Sequence, residues 1–234
     1  TIEVSLLKDT ATLTIDTSGS GLHKRGYRTH SVEAPLKETL AAALIQLSYW
    51  NKDRFLLDPF CGSGTIPIEA AMIGKNIAPG LNRNFASEGW PRVKKEYWQD
   101  ARRKAWDVML KDFNLNIIGS DIDKKAIGIA KENAANIGLE GDIKFITKDF
   151  RDFKFKDDYG VIICNPPYGE RLGEEKEVDK LYKDMGKFLG KLDTYSIYVL
   201  TSNKDFERLY GKDADRKRKL YNGRIKVDYY QYYG

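Results

Sequence analysis

Two cysteines, two histidines and three methionines are all the thiol, imidazole and thioether chemistry that these 234 residues offer. Cys61 and Cys164 are too few for a disulfide framework or a zinc site. With His23 and His30 as the only imidazoles, no metal centre is expected. No apolar run approaches the roughly 20 residues of a membrane-spanning helix, and no basic-then-apolar signal segment is seen. The sequence reads as a soluble cytoplasmic protein with reduced thiols, sensitive to oxidation but without a native disulfide. It opens on Thr1 rather than Met and is expected to be a piece of a longer protein. The formal charge of +5 and pI near 8.9 are too modest to indicate nucleic acid by themselves. Two basic clusters, Lys94, Lys95, Arg102, Arg103 and Lys104, then Arg216 to Lys219, are either solvated faces or phosphate attractors.

What is present is periodicity. In residues 1–16, Ile2, Val4 and Leu6 share one side of a strand, and Ala11, Leu13 and Ile15 share one side of the return strand. The turn is at Lys8-Asp9-Thr10. This predicts a hairpin whose strands pack on the main domain. Thr17 to Gly21 is flexible by composition and leads into the basic His23-Lys24-Arg25-Gly26-Tyr27-Arg28. Residues 1–30 therefore read as the tail of a preceding element with a basic connector, and residues 31–234 as the main domain.

From Pro35 the spacing of Leu36, Leu40, Ala43, Leu44 and Leu47 predicts a helix. Arg54 to Asp58 reads as a strand, Pro59 to Thr65 as a glycine loop, and Ile66 to Ile73 as a helix. Glu69 on that helix either reaches back to the loop or faces solvent. Residues 76–112 exceed what a minimal βαβ unit needs and read as an insertion. It carries a helix over 93–111 anchored by Trp98, Trp106 and Leu110, with Trp90 also a packing residue. Strands over 116–120, 143–146, 159–164 and 195–200 follow, interleaved with helices over 124–137, stopped by Gly138, and over 181–192. Phe206 and Leu209 suggest a short helix. Residues 217–232 read as a hairpin with a type I′ signal at Asn222-Gly223, and Tyr229, Tyr230, Tyr232 and Tyr233 as inward-facing strand residues. The pattern is an α/β fold: a mostly parallel sheet closed by an antiparallel C-terminal hairpin and flanked by helices.

Four strand ends converge on one edge of such a sheet, where open α/β folds bind ligands. They are Asp58 with Gly62 and Gly64, then Asp121, then Asp149-Phe150, and finally Asn165-Pro166-Pro167-Tyr168. The glycine loop is not a P-loop, because no Lys-Ser or Lys-Thr follows it, nor does it complete G-x-G-x-x-G. It permits close backbone approach by a ligand. Asp121 is placed to accept from ribose hydroxyls, and Asp149 from an adenine amino group with Phe150 against the ring. An adenosine with a non-phosphate tail suits these parts better than a dinucleotide does. In Asn165-Pro166-Pro167-Tyr168 the prolines stiffen the backbone around an amide and an aromatic ring, suited to gripping a flat ring that carries an amino group; alone, the four residues are equally a stiff turn.

Taken together, Asp58-Pro59-Phe60-Cys61-Gly62-Ser63-Gly64-Thr65, the Asp121 and Asp149 motifs, and Asn165-Pro166-Pro167-Tyr168-Gly169-Glu170-Arg171-Leu172 resemble class I S-adenosylmethionine-dependent methyltransferases of exocyclic amines. More narrowly, Pro35 to Ala41 and Ala78 to Arg83 resemble the THUMP-associated RNA guanine-N2 methyltransferases of the bacterial large-subunit rRNA type. That family is also labelled N6-adenine-specific DNA methylase. The resemblance implies a Rossmann-like fold, S-adenosylmethionine as cofactor and rRNA as partner, with a THUMP-type domain upstream. It implies that Asp58, Pro59, Phe60, Cys61, Gly62, Ser63, Gly64 and Thr65 line the methionine end of the cofactor, with Thr39 closing it. Asp121 and Ile122 would take the ribose, Asp149 and Phe150 the adenine, and Asn165, Pro166, Pro167 and Tyr168 the target amine. Methylation of adenine N6 in DNA or RNA, of a protein glutamine, or a non-catalytic RNA- or adenosine-binding role are the competing readings.

Overall fold

Short β-branched and aliphatic runs, each buried on both faces, account for the centre of the molecule. The computed structural model describes residues 1–29, 36–155, 159–169 and 175–234. Strands β1 (Ile2–Leu7) and β2 (Thr10–Ile15) form a separate hairpin. After it come α1 (Glu38–Gln46), β3 (Leu56–Asp58), α2 (Thr65–Gly74), α3 (Lys95–Asp107), β4 (Ile117–Asp121), α4 (Lys124–Ala135) and β5 (Ile143–Thr147). The chain ends with β6 (Val161–Cys164), α5 (Glu175–Phe188), β7 (Ser196–Thr201), α6 (Phe206–Tyr210), β8 (Arg216–Asn222) and β9 (Ile225–Tyr232).

Strands β3 to β9 make one sheet in the order β5-β4-β3-β6-β7-β9-β8. The first five pair in parallel, and β9 runs antiparallel to both β7 and β8. The chain steps outward from β3 to β4 and β5, then returns to lay β6 on the other side of β3. Crossovers therefore leave β3 and β6 in opposite directions, which opens a crevice at their carboxyl ends. One apolar cluster, including Leu44, Ile68, Ala130 and Tyr229, lies under α1, α2 and α4; a second, including Ile162, Tyr182, Met185 and Phe206, lies under α5 and α6. Tyr229, Tyr230 and Tyr232 are buried, as their β-propensity suggests, with Tyr229 and Tyr230 in the clusters on opposite faces of the sheet; Tyr233, also expected to face inward, is exposed beyond the strand.

Several expectations need correction. The β1–β2 hairpin does not pack on the main domain: every residue of both strands is exposed, although Ile2, Val4 and Leu6 stand opposite Ile15, Leu13 and Ala11 on one face. Its turn, Lys8-Asp9, has positive φ at both residues, the type I′ signature. The C-terminal hairpin has the other form. Asn222 pairs with Ile225, so the turn is Gly223-Arg224, with positive φ at Gly223 alone, the pattern of type II′. Helix α3 buries none of its residues, so Trp106 is not an anchor; Trp98 stacks on Phe85 with ring centroids 5.2 Å apart. Its charges are largely paired: Arg102 with Glu88, and Arg103 and Lys104 with Asp100. Pro35, His30 and the Glu170-Arg171-Leu172 extension lie outside the described residues. Among those described, no helix is long and apolar enough to cross a membrane, and no cluster of His, Cys, Asp and Glu could hold a metal ion.

Candidate active site

At the carboxyl ends of β3, β4, β5 and β6 lies a cleft of about 700 Å³, and it collects the predicted strand-end residues. From β3 come Asp58 and the loop after it, Pro59 to Ser63 with Thr65. Strand β4 supplies Asp121 and Ile122, β5 leads to Asp149 and Phe150, and β6 to Asn165, Pro166, Pro167 and Tyr168. Two predicted residues are elsewhere. Thr39 is exposed on α1 and does not line the cleft, where Leu36 does. Gly64 lies beneath the loop: its φ is +84°, and an added Cβ would stand 3.0 Å from both Ala130 and Phe145. It is there for close packing.

The glycine loop is bound to the sheet by its backbone. Cys61 N–H donates to the Ser120 carbonyl at 2.9 Å, and Gly62 N–H to Asp121 Oδ2 at 3.0 Å. Asp121 Oδ1 accepts from Asp123 N–H at 2.9 Å, so this carboxylate is held from both sides at the cleft floor. The buried Asn133 of α4 donates to the Ser63 carbonyl at 3.0 Å, a brace that the sequence reading missed. Asp58 is almost wholly buried, and burial pushes its carboxyl well above the ordinary carboxylate range; Phe60 N–H at 3.1 Å only partly opposes this, and nearby Asp121 reinforces it.

At the other end, the Arg151 guanidinium holds Asp149 below the usual carboxylate range and also reaches Asp184 at 3.1 Å. Phe150 is buried against Phe60, with centroids 5.3 Å apart, whereas Ile122 is 73% exposed beside Asp121. An oriented carboxylate next to an exposed apolar side chain, followed by an acid over an aromatic wall, fits a ribose and a purine ring. The loop from Cys61 to Ser63 lines the cleft with a glycine at its centre, which fits a close-lying tail. These residues thus suit an adenosyl sulfonium cofactor.

Across the cleft, the Tyr168 hydroxyl donates to Asn165 Oδ1, and Tyr168 packs against the core. Tyr182 of α5 donates to the Pro167 carbonyl at 2.7 Å and exchanges a hydrogen bond with Thr201 at 2.8 Å, bracing the proline pair from below. Only the helical spacing of Val178, Tyr182, Met185 and Leu189 signals Tyr182, as one of the buried positions of α5. Cys61 and Cys164 are free and buried, and burial pushes both thiols up. The thiolate is the oxidisable form, so the expected sensitivity to oxidation is not supported.

Behind the loop, Glu69 is neither solvent-facing nor at the cleft. It is buried beneath the basic connector, 3.2 Å from the Tyr27 hydroxyl and 3.5 Å from the Arg25 guanidinium. Burial raises it to about 7 despite Arg25. The insertion grips the same connector: Arg83 donates to the carbonyls of Gly21 at 2.9 Å and Lys24 at 3.1 Å, and to Ser20. Gly26, at φ +95°, passes so close to Asn82 that a Cβ would meet its carbonyl oxygen at 2.0 Å.

Known proteins are similar to this chain. The chain is 56% identical over 232 residues to "Putative RNA methyltransferase YpsC" of Bacillus subtilis (strain 168), covering 99% of this chain and 60% of that protein. It is 40% identical over 227 residues to the ribosomal RNA large subunit methyltransferase K/L of Shewanella woodyi, covering 94% of this chain and 32% of that one. The crystal structure of SMU.472 complexed with SAH superposes with a TM-score of 0.94 at 52% identity, over 100% of this chain and 61% of that one. The chain thus spans between a third and about three fifths of the length of these relatives. The profile of the RMKL-like methyltransferase domain matches residues 25–231, and the chain belongs to that family.

Proposed function

We propose that this domain transfers a methyl group from S-adenosylmethionine to the exocyclic N2 amine of a guanine in RNA, with large-subunit rRNA as the substrate. The observation that carries the reading is the position of Asn165-Pro166-Pro167-Tyr168 immediately after β6, beside the β3 glycine loop, in one cleft with Asp121 and Asp149. The naming of two relatives for RNA and rRNA methylation supports the choice of substrate.

S-adenosylmethionine, when bound, supplies a methyl group already activated by the sulfonium. What remains for the chain is alignment. Asp121 and Ile122 would hold the ribose, Asp149 and Phe150 the adenine, and Asp58 to Ser63 with Thr65 the methionine end. A guanine N2 is delocalised into its ring and nucleophilically weak. The Asn165 side-chain oxygen and the Pro166 carbonyl would accept its two N–H protons, localising the lone pair and aiming it. Tyr168 would stack on the extruded base, an interaction typically worth about 1–3 kcal/mol. In this structure the Tyr168 hydroxyl uses one of the two acceptor positions of Asn165 Oδ1, leaving the other for the amine. No strong general base is needed, because the nitrogen becomes acidic once methylated. Residues 1–30 would be the junction to an upstream THUMP-type RNA-capturing domain, and residues 31–234 the catalytic domain.

Mass spectrometry of rRNA nucleosides, from cells with and without the gene, tests the reading. Loss of N2-methylguanosine is expected. Loss of N6-methyladenosine instead would move the assignment to adenine, and an unchanged profile would overturn it.

A further inference from the structure

The residues discussed so far account for the cleft along β3 to β6 but leave one wall unexplained. Asn222 and Ile225, paired across the turn of the β8–β9 hairpin, also line it. Register explains how they reach it from the far edge of the sheet. Val227 and Tyr229 are buried under α1, where the Tyr229 hydroxyl donates to the Leu44 carbonyl at 2.9 Å. Leu220 stands opposite Val227 and Asn222 opposite Ile225, so the two-residue alternation puts all of them on the same face. The face that packs on α1 therefore continues past the helix and into the cleft near Leu36.

The chemistry of this tip is unlike a mere sheet end. The Asn222 side-chain amide is half-buried at the cleft and makes no hydrogen bond among the described residues. Arg224, in the turn itself, is exposed and has no acidic partner among the described residues. On the outer face Tyr221 is 57% exposed, with the Lys219 ammonium 5.6 Å from its ring and Lys226 directly across the strand pair. An amide facing inward, a cation at the rim and an aromatic ring between two lysines outside form a path for a single strand of nucleic acid. Phosphates are drawn to the cations, and any base can stack on the ring.

We propose that the β8–β9 tip guides the substrate strand. Asn222 hydrogen-bonds the edge of the extruded base opposite Asn165, Arg224 takes an adjoining phosphate, and Tyr221 stacks a flanking base. This rests on the RNA reading above and deepens it by naming a surface that holds the substrate strand beside the cleft.

The test is equilibrium binding of a fluorescent single-stranded RNA oligonucleotide to the chain over a range of salt concentrations, with S-adenosylmethionine affinity measured alongside as the check on folding. Arg224→Ala is expected to reduce the slope of log affinity against log salt by about 0.7, the value for one phosphate on a single strand. Arg224→Glu should weaken binding further. Asn222→Ala should weaken binding about five- to ten-fold with the slope unchanged. Unaltered affinity and slope in the Arg224 and Asn222 variants, or no RNA binding by the parent chain, would overturn the proposal. RNA binding that responds as expected, with the rRNA nucleosides unchanged on loss of the gene, would uphold the tip and sink the enzymatic reading.

Discussion

Arg28 donates to the Thr65 hydroxyl at 2.9 Å, and the same guanidinium lies 3.1 Å from Glu38 and donates to the Leu36 carbonyl at 2.9 Å. One side chain of the connector thus ties the first residue of α2 to the start of α1, directly behind the cleft that Leu36 and Thr65 line. Removing it strands Glu38, which is buried. Arg28→Ala is expected to cost about 3 kcal/mol of stability, the penalty for a buried carboxylate left without its cation. Adding Glu38→Gln should recover part of that loss in denaturant midpoints. Calorimetry should show S-adenosylmethionine affinity falling in the single variant.

Glu69 gives a pH signature. Its carboxyl sits at about 7 when folded against an ordinary value of 4.5, so the folded chain holds this proton more tightly than the unfolded one. Stability from this group is complete below the unfolded value and declines as pH rises through the interval up to about 7. The decline is at most about 3 kcal/mol. Glu69→Gln should flatten that part of the stability curve in urea titrations; a curve with unchanged slope would contradict the assignment.

At the reacting end, Asn165→Ala should abolish methyl transfer while leaving S-adenosylmethionine affinity within a few-fold. Retained turnover with a large loss of cofactor binding would reverse the role given to Asn165. Tyr168→Ala should raise the RNA KM by about ten-fold or more through lost stacking.

Gly26 has no room for a methyl group and holds a backbone conformation that other residues rarely adopt. Gly26→Ala should therefore destabilise by more than about 1 kcal/mol, read as a lowered melting temperature. Gly138, also at positive φ but with open space around its missing Cβ, should respond more mildly to the same change.

Both thiols should resist alkylation in the native chain and react on unfolding. Cys164 is fully buried and should be the slower, whereas Cys61 lines the cleft and should be shielded further by bound S-adenosylmethionine. Rapid modification of Cys164 under native conditions would show that β6 opens readily.

The parts of the fold written in local periodicity were legible. The five parallel strands, their order along the chain and the acids at their ends follow from apolar runs stopped by polar residues, so the walls of the cleft are legible in the sequence. What could not be read depends on contacts between distant segments. Glu69 looks like any acid on a helix until the connector folds over it, more than forty residues away in sequence. Thr39 and Leu36 are within one helical turn of each other, and only the packing of α1 decides which faces the cleft. Asn222-Gly223 carries a strong turn signal, but the ladder down to Arg216 sets the register and moves the turn by one residue. The exposed hairpin misleads in the opposite sense: alternation promised a buried face, and the described chain supplies nothing to bury it.

Arg83 changes what kind of joint residues 17–28 make. A free segment of about ten residues would let its ends wander over roughly 15–20 Å. Here the Asp16 carboxylate caps Ser18 and Gly19, Ser87 holds the Thr17 carbonyl, Arg83 gathers four further carbonyls, and Arg28 bolts the far end to α2. The joint is hydrogen-bonded along its length, as a bracket is rather than a tether. Force or displacement applied at the hairpin would be transmitted to the root of the glycine loop instead of being lost in a tether.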